Sequence, residues 1–334
     1  MTDPLSTDSI SVEQPRAQPS LVAVIVSFNR LEQLKKGIAS VLAGPVIGVV
    51  VVDNGSTDGS REWLSDLKDP RIRVLTPERN LGGAGGFEIG FREALDAFSP
   101  DWLVCFDDDA RPEEGAFATF LQQDLSGVDS AAAAVYYPDG RICEMNRPSW
   151  NPFWHPELLW RTVLGMLSGR SRQGFHVSDE HYGMAPPMNI DSSSFVGCFV
   201  RSDAVNRVGL PRGELFIYGD DVIYTLSLRK SGSRHVFLPN VRFQHDCGVQ
   251  LHAPKAISPL WKAYYTYRNG LEMYRIAAGW WFPLVAPVKV ASWLLAARHY
   301  DDKRRYLSLC YLAIRDAVKR NFSRSHDEII RRFS

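Results

Sequence analysis

Two nearly continuous runs of β-branched residues constrain the fold of this 334-residue chain more than any other feature. They read LVAVIVSF at 21–28 and VIGVVVVDN at 46–54, so neither run offers a polar face to water. Such runs are typical of strands that are buried on both faces of a parallel sheet. The segment between them, 29–43, has apolar residues at helical spacing, which predicts a strand–helix–strand unit.

The alternation of strand and helix continues along the first third of the chain. A short helix follows the second run, a third strand is predicted at 72–77, and a fourth at 101–109. This order predicts an α/β fold with a mostly parallel sheet that is flanked by helices. Ligands of such sheets bind beyond the carboxyl ends of the strands. The loops that we expect to line that edge begin at Ser27, Asp53, Thr76 and Asp107.

The charge and cysteine content exclude several classes of protein. The 38 basic and 38 acidic residues cancel, so the chain lacks an overall field that would attract nucleic acid, and we predict no nucleic-acid partner. The five cysteines are scattered without a C-x-x-C pair, which indicates neither a zinc knuckle nor a disulfide framework. Reduced, buried thiols in a cytoplasmic protein fit this pattern best.

The composition changes along the chain and suggests three regions. Residues 1–19 are polar, carry three prolines and are predicted to be a disordered leader. An α/β domain is predicted at 20–250, with an irregular insertion rich in Trp, Pro and His at 141–190. Residues 251–334 form a helical, partly apolar C-terminal appendage.

One stretch of the C-terminal appendage suggests contact with a membrane. The segment WWFPLVAPVKVASWLLAA, 280–297, has about the length of a short membrane span. Pro283, Pro287 and Lys289 interrupt it, and basic residues follow it. These features favour a helix that lies on the membrane surface over one that crosses it. A helical pair packed on the α/β domain is the alternative.

The segment ERNLGGAGGFEIG, 78–90, holds four glycines within five residues: Gly82, Gly83, Gly85 and Gly86. Glu88 stands where a dinucleotide-binding G-x-G-x-x-G pattern requires glycine, and no Lys-Ser/Thr pair completes a P-loop. The simplest interpretation is a tight turn before a helix. Because the turn lies at the ligand edge, we favour close approach of a substrate to it. The helix N-terminus would bind an anion there, with Arg79 and Asn80 as neighbouring donors.

Two acidic clusters and a late histidine suggest the chemistry. FDDDA, 106–110, places three carboxylates at the end of a strand, where their mutual repulsion favours binding of a hard divalent cation. Asp220 and Asp221 begin a predicted helix, a position that the helix dipole favours whatever the function. His245 ends a strand-like run, and a single histidine is more often structural than a ligand. Their combination in an α/β chain indicates a metal site with a separate base.

At these motifs the chain resembles the inverting family 2 glycosyltransferases, which have the GT-A, or Rossmann-like, fold. VAVIVSFNR, VVDNGSTDGS, ERNLGGAGGF, FDDDA, FIYGDDVIYTLSLRKSG and FQH occur in the order found in that family. RNLGGAGGF, the three aspartates and YRN at 267–269 look most like galactofuranosyltransferases and the related rhamnosyltransferases. The likeness covers roughly residues 20–270.

The resemblance implies a role for each matching residue. Asp221 would be the base that deprotonates the acceptor hydroxyl, and Asp220 would bind the acceptor. Asp109 and His245, with Asp107, would hold Mn²⁺ or Mg²⁺. The nucleotide-sugar would contact Ser27, Asn29, Arg30, Asp53, Arg79, Asn80, Gly82, Gly83, Asp107 and Asp108. Ile223 stands where galactofuranosyltransferases often carry a further acid, which leaves the acceptor open.

The implied reaction moves a sugar, galactofuranose from UDP-galactofuranose in the first instance, to a hydroxyl of a glycan or lipid-linked acceptor. It would serve cell-surface polysaccharide synthesis in the cytoplasm, peripherally on the inner face of the cell membrane. A dTDP-rhamnose-dependent rhamnosyltransferase is the alternative. A nucleotidyltransferase that makes nucleotide-sugars is a competing class, but SFNRLEQ stands where its glycine-rich loop is expected. A catalytically dead carbohydrate-binding relative is the third possibility, which the intact acids oppose.

Overall fold

The computed structural model describes residues 18–167, 174–183, 186–247 and 256–334. The strands are β1 (Leu21–Ser27), β2 (Gly48–Asp53), β3 (Ile72–Leu75), β4 (Trp102–Asp107), β5 (Ala110–Pro112), β6 (Ser130–Tyr136), β7 (Met188–Asn189), β8 (Cys198–Arg201) and β9 (His235–His245). The helices are α1 (Leu31–Leu42), α2 (Ser60–Asp66), α3 (Gly82–Phe98), α4 (Ala116–Leu121), α5 (Pro156–Leu167), α6 (Asp179–Tyr182), α7 (Ser202–Val208), α8 (Asp220–Lys230), α9 (Trp261–Ala278), α10 (Phe282–Leu295), α11 (Lys303–Val318) and α12 (His326–Phe333).

The described strands form one nine-stranded sheet in the order β3-β2-β1-β4-β8-β6-β9-β5, with β7 beside β9. The first four strands of that order are parallel. The other half is mixed, because β8 runs antiparallel to both β4 and β6, whereas β9 is parallel to β6. Helices cover the sheet and a helical region follows it. The predicted α/β sheet with flanking helices and a C-terminal helical appendage is therefore confirmed.

The buried faces of β1 and β2 explain why the first runs are continuously apolar. Every residue of both strands is buried. Alternate side chains of β1 enter two cores on opposite faces of the sheet: Ile25 packs with the cluster of Phe106, and Val24 with that of Phe91. Full burial of one such side chain contributes about 1.5–3 kcal/mol, so a polar residue at any of these positions would be costly.

Several boundaries and elements differ from the prediction. The first helix begins at Leu31 rather than at residue 29, because Asn29 adopts a left-handed backbone with φ 56°. The sequence pattern gave no elements between 110 and 140, where the structure has β5, α4 and β6. The described part of the predicted irregular segment 141–190 contains α5, α6, β7 and the 3-10 turns Glu144–Asn146 and Pro152–Trp154. Of the predicted leader, residues 1–17 lie outside the described residues.

The glycines of segment 78–90 do not form a turn before the helix, as the sequence had suggested, but the first turn of α3 itself. A Cβ at Gly82 would overlap the carbonyl oxygen of Phe216, and one at Gly86 would lie 2.6 Å from Val26 Cγ1. The protein's own backbone and side chains therefore approach these glycines. Gly83 differs, because a Cβ there would have no described atom within 4 Å.

The C-terminal helices have a core of their own. Side chains of α9, α11 and α12, among them Tyr264, Tyr306 and Phe333, pack together and against Phe216 and Ile217. The loop that carries Phe216 and Ile217 thus lies between the glycine turn of α3 and the C-terminal helices. Among the described residues, α10 contributes no fully buried side chain.

Replacement of Gly82 tests the close contact between α3 and Phe216. We expect Gly82→Ala to lower the free energy of unfolding by roughly 2–5 kcal/mol, because it adds a left-handed alanine and forces the backbone of Phe216 away. The matched control is Gly83→Ala, which should leave stability unchanged or raise it by up to about 1 kcal/mol. Chemical denaturation of both variants measures the difference. Equal stability of the two would contradict the packing role of Gly82.

Candidate active site

The topology brings the predicted acids to one edge of the sheet. In the strand register, Ser27 pairs with Asp53 across β1 and β2, while Val26 pairs with Asp107 of β4. β5 runs antiparallel to β9 and sets Ala110 opposite His245, so Asp109 and His245 become neighbours. The predicted ligand edge thus collects residues from distant parts of the sequence.

Asp107, Asp109 and His245 form a compact group of possible metal ligands. One ligating atom of each lies within 4.8 Å of those of the other two. Asp109 Oδ1 is 3.0 Å from His245 Nε2. Two carboxylate oxygens and an imidazole nitrogen suit Mn²⁺, and the oxygens suit Mg²⁺ as well. The residues present therefore fit the predicted divalent ion.

Asn146 orients His245 and was missed by the sequence analysis. Its Oδ1 lies 2.7 Å from His245 Nδ1, so the ring donates its Nδ1–H there and turns Nε2 towards Asp109. Asn146 is itself held by a hydrogen bond from its Nδ2 to Ser194 Oγ. Such outer partners of a ligating histidine set its tautomer and ring orientation. An asparagine within the irregular segment 141–190 gave no signal in the sequence.

One carboxylate oxygen of Asp108 is already hydrogen-bonded within the protein. Its Oδ2 accepts hydrogen bonds from the Phe28 N–H at 2.8 Å and the Ser27 hydroxyl at 3.0 Å. Burial raises the pKa of this carboxyl to about 6, although the Phe28 bond opposes the shift. A contact with ribose or sugar, the predicted role, would therefore fall to Oδ1. That atom lies 3.8 Å from Arg30 Nε.

Arg30 offsets part of the negative charge of the acidic group. Its guanidinium forms an ion pair with Asp109 and approaches Asp108, while about half of the side chain stays exposed. Burial raises the pKa of Asp107, and the nearby charges of His245 and Arg30 oppose that rise. Arg30 is thus at the ligand edge, as predicted, and is bound to acids.

Asn29 and Asp53 join the loops after β1 and β2. Asn29 Oδ1 accepts a hydrogen bond from the Thr57 N–H at 2.7 Å. Asp53 is fully buried, accepts from the Ser56 N–H at 3.0 Å and pairs with Arg61 Nε at 3.2 Å. Both side chains are engaged in these internal bonds, and their contact with a nucleotide stays a prediction.

The residues before α3 lie at the same edge. Asn80 Oδ1 accepts a hydrogen bond from the Gly82 N–H at 2.7 Å, and Arg79 is exposed. Asn54, which the sequence analysis did not select, donates from Nδ2 to the Gly82 carbonyl at 2.9 Å. Two asparagines therefore hold the first turn of α3, and Gly83 presents an open backbone beside them.

Asp220 and Asp221 occupy the first turn of α8, as predicted. The apolar run LFIY, 215–218, directly before them is irregular and forms no strand. A 3-10 turn, Gly213–Leu215, leads into Phe216 and Tyr218, both with left-handed φ of 68°. The strained backbone of this segment, 213–219, is held by tertiary contacts, which the local sequence pattern could not reveal.

Two elements hold segment 213–219 from opposite sides. The Ala84 N–H of α3 donates to the Phe216 carbonyl at 3.0 Å. On the other side, Asn269 Nδ2 lies 2.8–3.0 Å from three carbonyl oxygens, those of Leu215, Ile217 and Tyr218. The fully buried Arg268 donates to the Leu215 carbonyl as well. The YRN motif of α9 therefore positions the loop that leads to the acids.

Burial and nearby charges, including that of Asp107 at the end of β4, shift the pKa values of the two acids of α8. Burial raises the pKa of Asp221 to about 6, and the charge of Asp107 adds to the rise. Burial raises the pKa of Asp220 strongly, with repulsion by Asp221 as the next cause. Asp107 thus influences Asp221 electrostatically, so the candidate base lies near one of the candidate metal ligands.

Solved structures with the same fold bind nucleotides and metal. The mannosyltransferase PcManGT from Pyrobaculum calidifontis, solved with GDP-Man and Mn²⁺, has a TM-score of 0.51 and is 14% identical, with 93% of this chain and 89% of that chain covered. GalNAc-T7, solved with UDP, GalNAc and Mn²⁺, has a TM-score of 0.52 at 14% identity over 77% of this chain and 50% of that one. At such identities the likeness shows the GT-A fold alone.

Sequence comparisons identify the family. The family model "Glycosyl transferase family 2" matches residues 22–186. The galactofuranosyltransferase GlfT1 of Mycolicibacterium smegmatis is 30% identical over 258 residues, which are 74% of this chain and 80% of that protein. GlfT1 of Mycobacterium tuberculosis is 28% identical over 75% of this chain and 80% of its own length. The chain described here therefore belongs to glycosyltransferase family 2, as the motifs at the edge of its sheet had indicated.

Proposed function

We propose that this chain is a metal-dependent, inverting galactofuranosyltransferase. It would move galactofuranose from UDP-galactofuranose to a hydroxyl of a glycan or lipid-linked acceptor in cell-surface polysaccharide synthesis. The observation that carries the proposal is the proximity of two separate groups: Asp221, whose pKa responds to the charge of Asp107, and the possible metal ligands Asp107, Asp109 and His245. The choice of sugar rests on the relatives named above.

Asp107, Asp109 and His245 would hold Mn²⁺ or Mg²⁺. When bound, the ion would stabilise the negative charge that develops on the departing diphosphate. His245 offers Nε2 because Asn146 accepts its Nδ1–H. Arg30, which pairs with Asp109 here, would be released to contact the diphosphate of the donor.

Asp221 would accept the proton of the acceptor hydroxyl during its attack on the sugar. A carboxylate with a pKa near 6 is ionised at neutral pH, yet more basic than an ordinary aspartate. A single in-line displacement opposite to the departing diphosphate inverts the anomeric centre and needs no covalent nucleophile. Asp220, in the same first turn of α8, would bind the acceptor.

An apolar cleft beside α8 supports a lipid-linked acceptor. Its volume is about 720 Å³, and most of its lining is apolar, from the segment around Phe153 and from α8, α9 and α10. Val222, which follows the candidate base directly, lines it, as do Leu284 and Val288 of α10. A hydrocarbon chain in this cleft would end beside Val222 and so next to Asp221.

The exposed face of α10 supports peripheral contact with a membrane. Trp280 is fully exposed, and Leu284, Val288 and Leu295 are each about two-thirds exposed. The helical run Trp261–His299 is long and apolar enough by composition for a membrane span, and its most apolar window is not buried in the protein. Basic residues follow the run, and anionic lipid attracts such residues. We propose that this face lies on the inner surface of the cell membrane.

A screen of nucleotide-sugars tests the donor and the metal together. With Mn²⁺ present, UDP-galactofuranose should bind saturably and tighter than dTDP-rhamnose, as measured by calorimetry. Asp109→Asn should weaken Mn²⁺ binding in the presence of UDP at least tenfold, because it removes a charged ligand beside His245.

The exposed Asn189→Ala variant is the control for that screen and should bind metal normally. A preference for dTDP-rhamnose would overturn the choice of sugar. Unchanged Mn²⁺ affinity in Asp109→Asn and also in His245→Ala would overturn the metal site.

Replacement of Asp221 tests the base. Asp221→Asn should lower sugar transfer by about 10²–10⁴-fold with little change in UDP-sugar affinity, because the amide keeps the shape but accepts no proton. The wild-type kcat/KM, which reports the free enzyme, should decline as the pH falls through about 6, where Asp221 becomes protonated. Asp220→Asn should mainly raise the acceptor KM. Transfer by Asp221→Asn within a few-fold of wild type would make Asp220 the candidate base.

The same variant should be more stable than wild type at neutral pH. The folded pKa of Asp221, about 6, lies above its unfolded value of about 3.9, so its contribution to stability is complete below pH 4 and lost as the pH rises through 6. Asparagine resembles the protonated acid at every pH. The gain in Tm of Asp221→Asn should therefore be present at pH 7 and vanish near pH 4.

Liposome co-sedimentation tests the membrane face. The full chain should sediment with anionic vesicles, less so at high salt. Leu284→Asp with Val288→Asp should reduce binding, because both side chains are about two-thirds exposed on α10. The control is Val318→Asp, which changes an equally exposed residue at the end of α11. Equal sedimentation of the double variant and the control would exclude α10 as the contact.

A further inference from the structure

A second group of possible metal ligands surrounds the other ring nitrogen of His245. The ligating atoms of Cys143, His245 and Cys247 all lie within 4.8 Å of one another. Cys143 Sγ is 3.9 Å from His245 Nδ1. Cys143 is buried and Cys247 is partly exposed, and the proposed transferase chemistry uses neither thiol. The cysteines are far apart in sequence, so their spacing gave no signal.

The geometry of this group is close to that of a tetrahedral zinc site. Zinc lies about 2.3 Å from sulfur and about 2.0–2.1 Å from imidazole nitrogen, so tetrahedral ligands of these types are about 3.6 Å apart. The observed 3.9 Å between Cys143 Sγ and His245 Nδ1 needs only a small adjustment. Thiolates are soft ligands and favour zinc over the hard ions that suit Asp107 and Asp109.

We propose that Cys143, His245 Nδ1 and Cys247 form a binding site for Zn²⁺, with water as the fourth ligand. On binding, the two thiols release their protons to solvent. The imidazole proton moves from Nδ1 to Nε2, and its hydrogen bond to Asn146 is lost. Asn146 Oδ1, which also lies 3.0 Å from Cys143 Sγ, remains beside the site as an acceptor for the zinc-bound water.

Zinc at this site removes one ligand from the catalytic ion, because one neutral imidazole offers only one lone pair. With Nδ1 bound to zinc, Nε2 carries the proton and cannot ligate the divalent ion beside Asp109. By binding His245, zinc therefore inhibits sugar transfer without occupying the nucleotide pocket. This inhibition rests on the proposed function, whereas the binding of zinc does not.

The binding is tested on the full chain, kept reduced by a phosphine. Zn²⁺ affinity is measured by competition with a chromogenic chelator, and Co²⁺ is added in zinc's place to reveal thiolate-to-cobalt absorption. We expect one equivalent of Zn²⁺ with thiolate ligation. Cys247→Ser, at the partly exposed position, and the double variant with Cys143→Ser should each weaken Zn²⁺ binding at least tenfold. Cys310→Ser, a thiol buried in the C-terminal core, should not.

The absence of thiolate-to-cobalt absorption in wild type, or unchanged Zn²⁺ affinity in folded Cys247→Ser, would overturn the site. Asp109→Asn should keep the absorption, because Asp109 faces Nε2; its loss would also overturn the assignment. At saturating Mn²⁺, Zn²⁺ should inhibit transfer by wild type and by Cys310→Ser but spare Cys247→Ser. If no donor supports transfer, the proposed function fails while the cobalt spectrum still decides the zinc site.

Discussion

The hydrogen bond between the Ala84 N–H and the Phe216 carbonyl is the interaction on which the geometry of the site depends. It joins the first turn of α3, packed on β1, to the loop that begins α8. Gly82 makes this contact possible, since a side chain there would overlap the same carbonyl. The acids at the start of α8 therefore take their position from the parallel half of the sheet, although more than a hundred residues of sequence intervene.

Asn269 fixes the same loop from the other side, which makes the C-terminal helices part of the site. Its side-chain amide satisfies carbonyl oxygens that a left-handed, irregular segment cannot satisfy within itself. Arg268, buried among Tyr264, Tyr265 and Phe322, brings a cation into that core. The apolar cleft between α8 and α10 follows from the same arrangement, because the helix that carries Asn269 also lines the cleft.

The sequence predicts the parallel half of the sheet well, because strands that are buried on both faces consist of continuous apolar runs such as LVAVIVS. The ends of these strands then indicate where the acidic residues lie. The sequence does not predict β6, because its segment SAAAAVY has weak strand propensity. Pairing with the neighbouring strands β8 and β9 determines this strand. The packing role of Gly82 and the orienting role of Asn146 were also missed. Each depends on a partner far away in sequence, which periodicity cannot detect.

The repulsion between the two acidic groups gives the proposed reaction an order. Without a cation, burial and then the charge of Asp107 raise the pKa of Asp221 to about 6. A divalent ion held by Asp107 and Asp109 would weaken the contribution of Asp107, and the pKa of Asp221 would fall. The carboxylate, which is already mostly ionised at neutral pH, would then stay ionised at lower pH once donor and metal are in place. Loading of the donor would thus favour the ionised base before the acceptor reacts.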